Sequence, residues 1–386
     1  MKRLPLFLLS VALILLFALW PRPGITNSGQ ASVEWLSAEE AGISEAFAQV
    51  TEPKTLVFPQ ALGPHNEYQT EWWYYTGNLA TEVGREFGYQ LTFFRRGLTP
   101  EVQRGTDESD WRSNQIYFSH FTVSDIEAQK FYPHERFSRQ SAGLSGAQAE
   151  PYRVWLEDWS ATAIAPGKIH LVADAGDVAL DLTLDETLPP VLQGDRGYSK
   201  KGPEPGNASY YYSIVQQQTQ GTVTVADESF EVSGLTWKDH EYSTSALSPG
   251  TVGWDWFSLQ LNDGSALMLY GLRKDDGTIA DVSSGTYISA KGETQTIGPT
   301  DWKIEVLDTW RSPTSKAEYP AQWHIAIPRL EIVLDGKSRM PNQELNISTT
   351  YWEGAVMFSG AKAGQPVVAK GYVEMTGYAD RLDTVL

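Results

Sequence analysis

The sequence predicts an all-β protein made of two tandem antiparallel β-barrels, and three observations predict it: side-chain alternation, hairpin turns and an internal repeat. Phe87, Tyr89, Leu91 and Phe93 recur at every second position, as do Val178, Leu180, Leu182 and Leu184 with Asp177, Asp181 and Asp185 between them. Period two marks a strand with one buried face. NDG (262–264), DDG (275–277) and LDG (334–336) each separate two such runs, and Asp before Gly tolerates the positive φ of a tight hairpin. Convincing amphipathic helices are scarce.

The repeat sets the domain organisation. HLVADAGDVALDLTLD (170–185) resembles HIAIPRLEIVLD (324–335), and a Tyr-rich strand follows each of them. Upstream, WWYYTGNL then YQLTFFRR is echoed by WDWFSLQL then ALMLYGLR. All three pairs keep their order, which points to duplication. We therefore expect a first domain over 55–248 and a second over 249–386, with the hinge near STSALSPG. An antiparallel meander must cover or close its edges, and a moderate barrel does so while keeping an interior for one small ligand. Two lipocalin-like barrels satisfy this; a pair of β-sandwiches is the alternative architecture.

Ahead of the barrels, Lys2 and Arg3 precede an uncharged apolar run from Leu4 to Trp20. This reads as a signal peptide or signal anchor over 1–20, which places the rest of the chain outside the cytoplasm, in the periplasm, secreted, or anchored to the membrane through an uncleaved leader. Residues 21–54 read as a tether. The net charge of −18, from 48 acidic and 30 basic side chains, makes nucleic acid and anionic lipid surfaces poor partners. The chain has no Cys, so disulfides, thiolate catalysis and thiolate zinc sites are excluded.

The sequence lacks a G-x-S-x-G elbow, a P-loop, a dinucleotide fingerprint and H-E-x-x-H, which removes most support for hydrolase, kinase and dehydrogenase readings. Its six His are scattered without helical ligand spacing, so no metal is assigned. The strongest polar cluster is GLTWKDHEYST, in which Trp237, Asp239 and Glu241 alternate with Lys238, His240 and Tyr242. On a strand the first three share one face. A carboxyl beside an indole in a dry cavity has its pKa raised and becomes a usable general acid. A chain-reversing loop with Asp239 as a cap is the bland alternative. The repeat segment MTGYADRL keeps Tyr378 and Asp380 as apparent counterparts.

Asp239, Trp237, His240, Glu241 and Glu71 are thus the candidate catalytic residues, with the open question whether Glu71 points into the same cavity as Asp239. Aromatic ladders supply the candidate ligand-binding residues: Trp73 and Tyr75, Tyr210 and Tyr212, Trp254 and Trp256, and Tyr270. For any single ring a barrel core or an interdomain seam is the better reading. As a set they suit an elongated apolar ligand. His120, which alternates with Ile116 and Phe118, is expected to face inward with them.

At HNEYQTEWWYYTGNL, VSGLTWKDHEYST and GWDWFSLQLNDGSALMLYGLR the chain resembles the AttH/CrtC family, which contains carotenoid 1,2-hydratases and AttH-type proteins often encoded beside ABC-transporter permeases. The resemblance spans about residue 55 to the end. It implies a duplicated lipocalin-like barrel and, for hydratase members, addition of water to a terminal isoprenoid double bond with no cofactor. It further implies an aromatic-x-Asp element, matched by Trp237 and Asp239, and an upstream polar and aromatic strand, matched by Tyr210 to Tyr212. No His stands in that ladder, a departure from the family pattern. Two readings follow: an extracytoplasmic protein that binds an apolar lipid or isoprenoid, linked to an ABC-transporter permease, or a cofactor-independent hydratase with Asp239 as acid. The sequence favours binding as the minimal claim.

Overall fold

The computed structural model describes residues 46–100, 114–244 and 247–381. The leader, most of the tether and the extreme C-terminus lie outside the described residues. The last part of the expected tether is not a tether: Phe47 and Val50 are buried, and Ala48 N–H donates to the Glu67 carbonyl (2.9 Å). Apolar residues at both positions dock this segment onto the first barrel.

The first sheet holds β1 (Thr70–Ala80), β2 (Glu86–Gly97), β3 (Gln115–Asp125), β4 (Lys130–Arg139), β5 (Ser145–Ala149), β6 (Tyr152–Leu156) and β7 (Trp159–Ala165). It continues with β8 (Lys168–Asp174), β9 (Val178–Glu186), β10 (Val191–Leu192), β11 (Tyr198–Lys200), β12 (Ala208–Val225) and β13 (Glu228–Ser243). The second holds β14 (Thr251–Leu261), β15 (Ala266–Lys274), β16 (Ser284–Ile288), β17 (Thr294–Ile297) and β18 (Lys303–Arg311). It ends with β19 (Glu318–Ile327), β20 (Ile332–Ser338), β21 (Glu344–Asn346), β22 (Thr350–Lys362) and β23 (Gln365–Met375).

Strand order makes the duplication plain. The path β3-β2-β1-β13-β12-β9-β8-β7 in one sheet is matched by β16-β15-β14-β23-β22-β20-β19-β18 in the other. The repeated sequences 170–185 and 324–335 are the β8–β9 and β19–β20 hairpins. Both sheets are barrel-like, but only the first is nearly closed; the second is a half-barrel. The cause is a shorter second copy, since the first sheet continues past β7 into β6 and β5 whereas the second ends at β18.

Each concave face has its own core. Trp73, Tyr89, Leu91, Phe121 and Leu182 pack inside the first sheet, and Phe257, Leu259, Trp323, Leu334 and Phe358 inside the second. A third cluster joins the two convex faces: Tyr74, Tyr211, Trp237, Trp256, Met268, Tyr270, Ala355 and Tyr372. Successive side chains on a strand point to opposite faces, so every strand of this seam contributes one set of residues to its own barrel and the other to the partner barrel. Gly88 permits close approach here: a Cβ on it would lie 2.6 Å from the Tyr372 hydroxyl and 2.8 Å from Ala355 Cβ.

Candidate active site at the seam between the barrels

On β13, Trp237, Asp239 and Glu241 point together into the seam, as the alternation predicts. Their directly paired residues on β1 are Thr76, Tyr74 and Trp72. Asp239 is buried, yet each of its oxygens has a donor. Oδ1 accepts from the Trp237 indole N–H (2.7 Å) and the Ser213 hydroxyl (2.5 Å), and Oδ2 accepts from the Tyr211 hydroxyl (2.7 Å). The Trp256 indole N–H donates in turn to the Tyr211 oxygen (3.2 Å). Burial outweighs these three bonds and pushes the Asp239 pKa up to about 7.

The second barrel presents carboxyls of its own. Glu374 on β23 is paired across the ladder with Trp256. Its Oε2 accepts from the Trp254 indole N–H (3.1 Å), and burial, with the charges of Glu241 and Asp239 nearby, raises its pKa to about 7. Glu353 on β22 is fully buried, accepts from the Tyr74 hydroxyl across the seam, and is raised well above the ordinary range by burial and by Glu374. Glu241 is ion-paired with Lys201 (2.6 Å) and accepts from Ser209. Aromatic faces enclose the acids: Tyr74 and Trp237 both meet Trp256 edge-on, with centroids 5.2 and 6.2 Å apart. Trp72, Trp254 and Glu374 are half-buried and form the side open to solvent.

Register corrects the expected repeat partner of Asp239. Tyr74 on β1 corresponds to Trp256 on β14, and their cross-strand partners are Asp239 and Glu374. Glu374, not Asp380, is therefore the counterpart. Tyr378 serves the second barrel instead, covering Arg273 (3.7 Å) and donating to Asp255 (3.2 Å). Glu353 and Glu374 were missed by sequence reasoning. Setting YWEG (351–354) against the Tyr211 ladder would have found Glu353, because Ser213 pairs with Asp239 as Glu353 pairs with Glu374.

Other expected site residues separate into two groups. Trp254, Trp256 and Tyr270 do line the seam. Glu71, Trp73, Tyr75, Tyr210, Tyr212 and His240 do not: the ladder pairs Glu71 with Tyr242, Trp73 with His240 and Tyr75 with Lys238, all on the face opposite Asp239. Glu71 and Asp239 thus point to opposite sides of one sheet. Tyr210 and Tyr212 share the face of Tyr242 and His240, and the ring beside Asp239 is Tyr211. His120 also departs from expectation. Tyr117, Phe121 and Val123 face the first barrel's core, whereas His120 lies on the convex side and bonds Tyr351 of the second barrel. A period of two says which residues share a face and cannot say which face is concave.

Glu71 has a different task. Its Oε2 accepts from Arg95 Nε (2.8 Å) and His65 N–H (2.9 Å), and its Oε1 lies 2.8 Å from both His65 Nδ1 and His240 Nε2. Arg95 also donates to the His65 and Tyr68 carbonyls, so the cluster ties the HNEY segment to the barrel mouth. The Arg95 guanidinium and the two His contacts hold Glu71 well below the carboxylate range against its burial, and burial lowers His240 to about 4. His65, Glu71 and His240 offer three ligand atoms within 4.8 Å. They fit a divalent cation poorly, because Arg95 already neutralises the carboxylate and its four bonds use both oxygens.

Comparison with known proteins agrees with this architecture. The chain superimposes on an AttH from Nitrosomonas europaea with TM-score 0.77 and 34% identity, covering 86% of this chain and 99% of that one. Kievitone hydratase from Nectria haematococca shares the fold at TM-score 0.66 and 17% identity, covering 88% and 99% of the two chains. The dehydratase asqC of Emericella nidulans is 25% identical over 210 residues, 52% of this chain and 58% of that protein's length. The chain therefore spans little more than half of that relative. The sequence profile of the AttH-like family matches residues 49–378, and the chain belongs to the AttH-like family.

Proposed function

We propose that the chain is a cofactor-independent hydro-lyase that adds water to, or removes it from, an apolar unsaturated substrate in the seam between its barrels. The observation that carries this reading is Asp239: a buried carboxyl with a pKa near 7, held at both oxygens and walled by Trp237, Trp256 and Tyr74. At neutral pH a substantial fraction carries a proton, and a neutral carboxylic acid can deliver it to an alkene carbon. The tertiary cation that forms would lie against electron-rich ring faces, which stabilise positive charge. Water then adds to the cation, and a second seam carboxylate, Glu374, removes the surplus proton. Dehydration runs the same steps backwards. Pairs of carboxyls with perturbed pKa values are the usual means of separating acid and base roles.

The hydratase and dehydratase among the relatives support this over the binding-only reading that the sequence favoured. A carrier needs the apolar walls but not Asp239 and Glu353 buried between the barrels with Glu374 at the margin, since a buried carboxyl is costly. The leader at residues 1–20 remains the basis for placing the reaction outside the cytoplasm, with substrate drawn from the membrane.

The test is incubation of purified protein with acyclic isoprenoids, lycopene first, in H₂18O, followed by mass spectrometry. A product heavier by one labelled water, lost in Asp239→Asn, supports the reading. Co-purifying lipid that is never hydrated, with unchanged lipid binding by Asp239→Asn, would return the protein to the carrier class.

A further inference from the structure

Behind Asp239 a chain of hydrogen bonds runs from one barrel into the other. Ser213 on β12 pairs directly with Asp239 on β13, and its hydroxyl donates to Oδ1 (2.5 Å). Gln193 Nε2 donates to the Ser213 oxygen (2.8 Å), and the Thr286 hydroxyl donates to Gln193 Oε1 (2.7 Å). All three residues are buried. Thr286 belongs to β16 of the second barrel, where it pairs with Met268 and so faces the seam. The main chain holds Gln193 on both sides: its N–H donates to the Tyr211 carbonyl (3.0 Å), and its carbonyl accepts from Gly197 N–H (2.9 Å). The turn that follows requires glycine, since Gly194 has a φ of +64° and a Cβ on it would lie 2.3 Å from the Tyr198 carbonyl oxygen.

We propose that Gln193, anchored by Thr286, is a positioning residue that locks Ser213 as a donor to Oδ1 and so confines the transferable proton of Asp239 to Oδ2. This role rests on Asp239 being the general acid. It follows from the donors and acceptors present. An indole N–H can only donate, so Trp237 fills one lone pair of Oδ1. An amide N–H can only donate as well, so the Ser213 oxygen accepts from Gln193 and turns its own proton to Asp239. Oδ1 then has two donors and no site for a proton. Oδ2 accepts from Tyr211 alone among the described residues, which leaves one lone pair to carry it. When the Oδ2–H bond breaks and the proton bonds to the alkene carbon, negative charge develops on a carboxyl whose donors already point at it, and no hydroxyl has to turn. Gln193 and Thr286 act on Asp239 only through Ser213.

The reverse orientation of the Gln193 amide would undo this order. Oε1 would then take the Ser213 proton, and a carboxylate oxygen would face the Ser213 oxygen at 2.5 Å with no hydrogen between them. Thr286 would have to accept from the Gln193 NH₂, and its own buried hydroxyl proton would lose its acceptor. The Thr286 hydroxyl therefore selects the amide orientation. On the other side of the carboxyl, Trp256 does for Tyr211 what Gln193 does for Ser213: its indole N–H donates to the Tyr211 oxygen and turns the Tyr211 proton to Oδ2. Both arms of hydrogen bonds around Asp239 thus end on the second barrel, at Thr286 and at Trp256. The acid is fully oriented only when the two barrels are docked.

The experiment is infrared spectroscopy of the whole chain at pH 6, which needs no substrate. The C=O band of protonated Asp239 is identified by its loss in Asp239→Asn. In the wild type this carbonyl is Oδ1, which accepts two hydrogen bonds and therefore absorbs at low wavenumber. Gln193→Met, of similar size but without the amide, and Thr286→Val, in the other barrel, should each let the proton occupy Oδ1 as well. A second band then appears at higher wavenumber, from a carbonyl Oδ2 that accepts from Tyr211 alone. Thr286→Ser, which keeps the hydroxyl, should show the single wild-type band. In turnover the first two variants should lower kcat about fivefold, the net worth of one hydrogen bond, at unchanged KM. A single band at the wild-type position in both, with circular dichroism showing a native fold, overturns the proposal. If no band is lost in Asp239→Asn, Asp239 holds no proton and both the proposal and the general-acid role fall. If the second band appears but no substrate is ever hydrated, the positioning of the proton stands and the hydro-lyase reading falls. If substrate is hydrated but the band ignores Gln193 and Thr286, the hydro-lyase reading stands and the proposal falls.

Discussion

Replacing Asp239 by Asn should leave the protein about as stable as wild type below pH 4 and make it increasingly more stable than wild type as pH rises towards 7 and beyond. In the folded chain Asp239 titrates near 7, whereas an ordinary aspartate titrates near 3.8. Between those values the native state holds a proton that the unfolded state has lost. Stability therefore falls as pH rises, by about 1.4 kcal/mol per pH unit while the difference persists. From pH 5 to 7 the loss is about 2 kcal/mol; above the folded pKa it levels off. Asn carries no proton and escapes this term. Its amide also fits the site: the side-chain oxygen can accept from Trp237 and Ser213, and the NH₂ can donate to Tyr211. Other titrating groups are common to both proteins and largely cancel in the difference. Urea denaturation of both proteins at pH 5, 6, 7 and 8 measures it. A mutant-minus-wild-type stability that stays flat across that range would refute the placement of Asp239 as a buried, desolvated acid, and with it the general-acid role.

Other consequences are equally direct. Tyr211→Phe removes a donor that lowers the Asp239 pKa, so the alkaline limb of the pH–rate profile should move up by about one unit, the size of a hydrogen bond to a charged group. Glu71→Gln strands the fully buried Arg95 guanidinium and should cost about 3–5 kcal/mol in chemical denaturation, with little change in the turnover of the protein that remains folded, because Glu71 faces away from the seam. Gly88→Ala places a methyl against Tyr372 and Ala355, and overpacking of this kind should destabilise the docked barrels by about 1–3 kcal/mol in thermal unfolding. Glu374→Gln should depress hydration while leaving substrate affinity nearly intact, which steady-state kinetics would show as a fall in kcat at constant KM.

Residue patterns of short range were enough for much of this protein. Alternation in GLTWKDHEYST placed Trp237, Asp239 and Glu241 on one face, because side-chain direction in a strand depends only on parity. The repeat was legible because each copy needs the same apolar positions to fill its barrel. Tertiary structure alone decided which face looks inward. The convex faces of β1, β12 and β13 are as aromatic as the concave ones, since a second barrel covers them, so hydrophobicity could not tell core from seam. That is why Tyr212 rather than Tyr211, and His240 and Glu71 rather than Glu374 and Glu353, read as companions of Asp239. Glu353 and Glu374 come from strands more than a hundred residues further along the chain. They meet Asp239 only because two folded sheets dock back to back, and that docking also supplies the burial that turns an ordinary aspartate into an acid working near neutral pH.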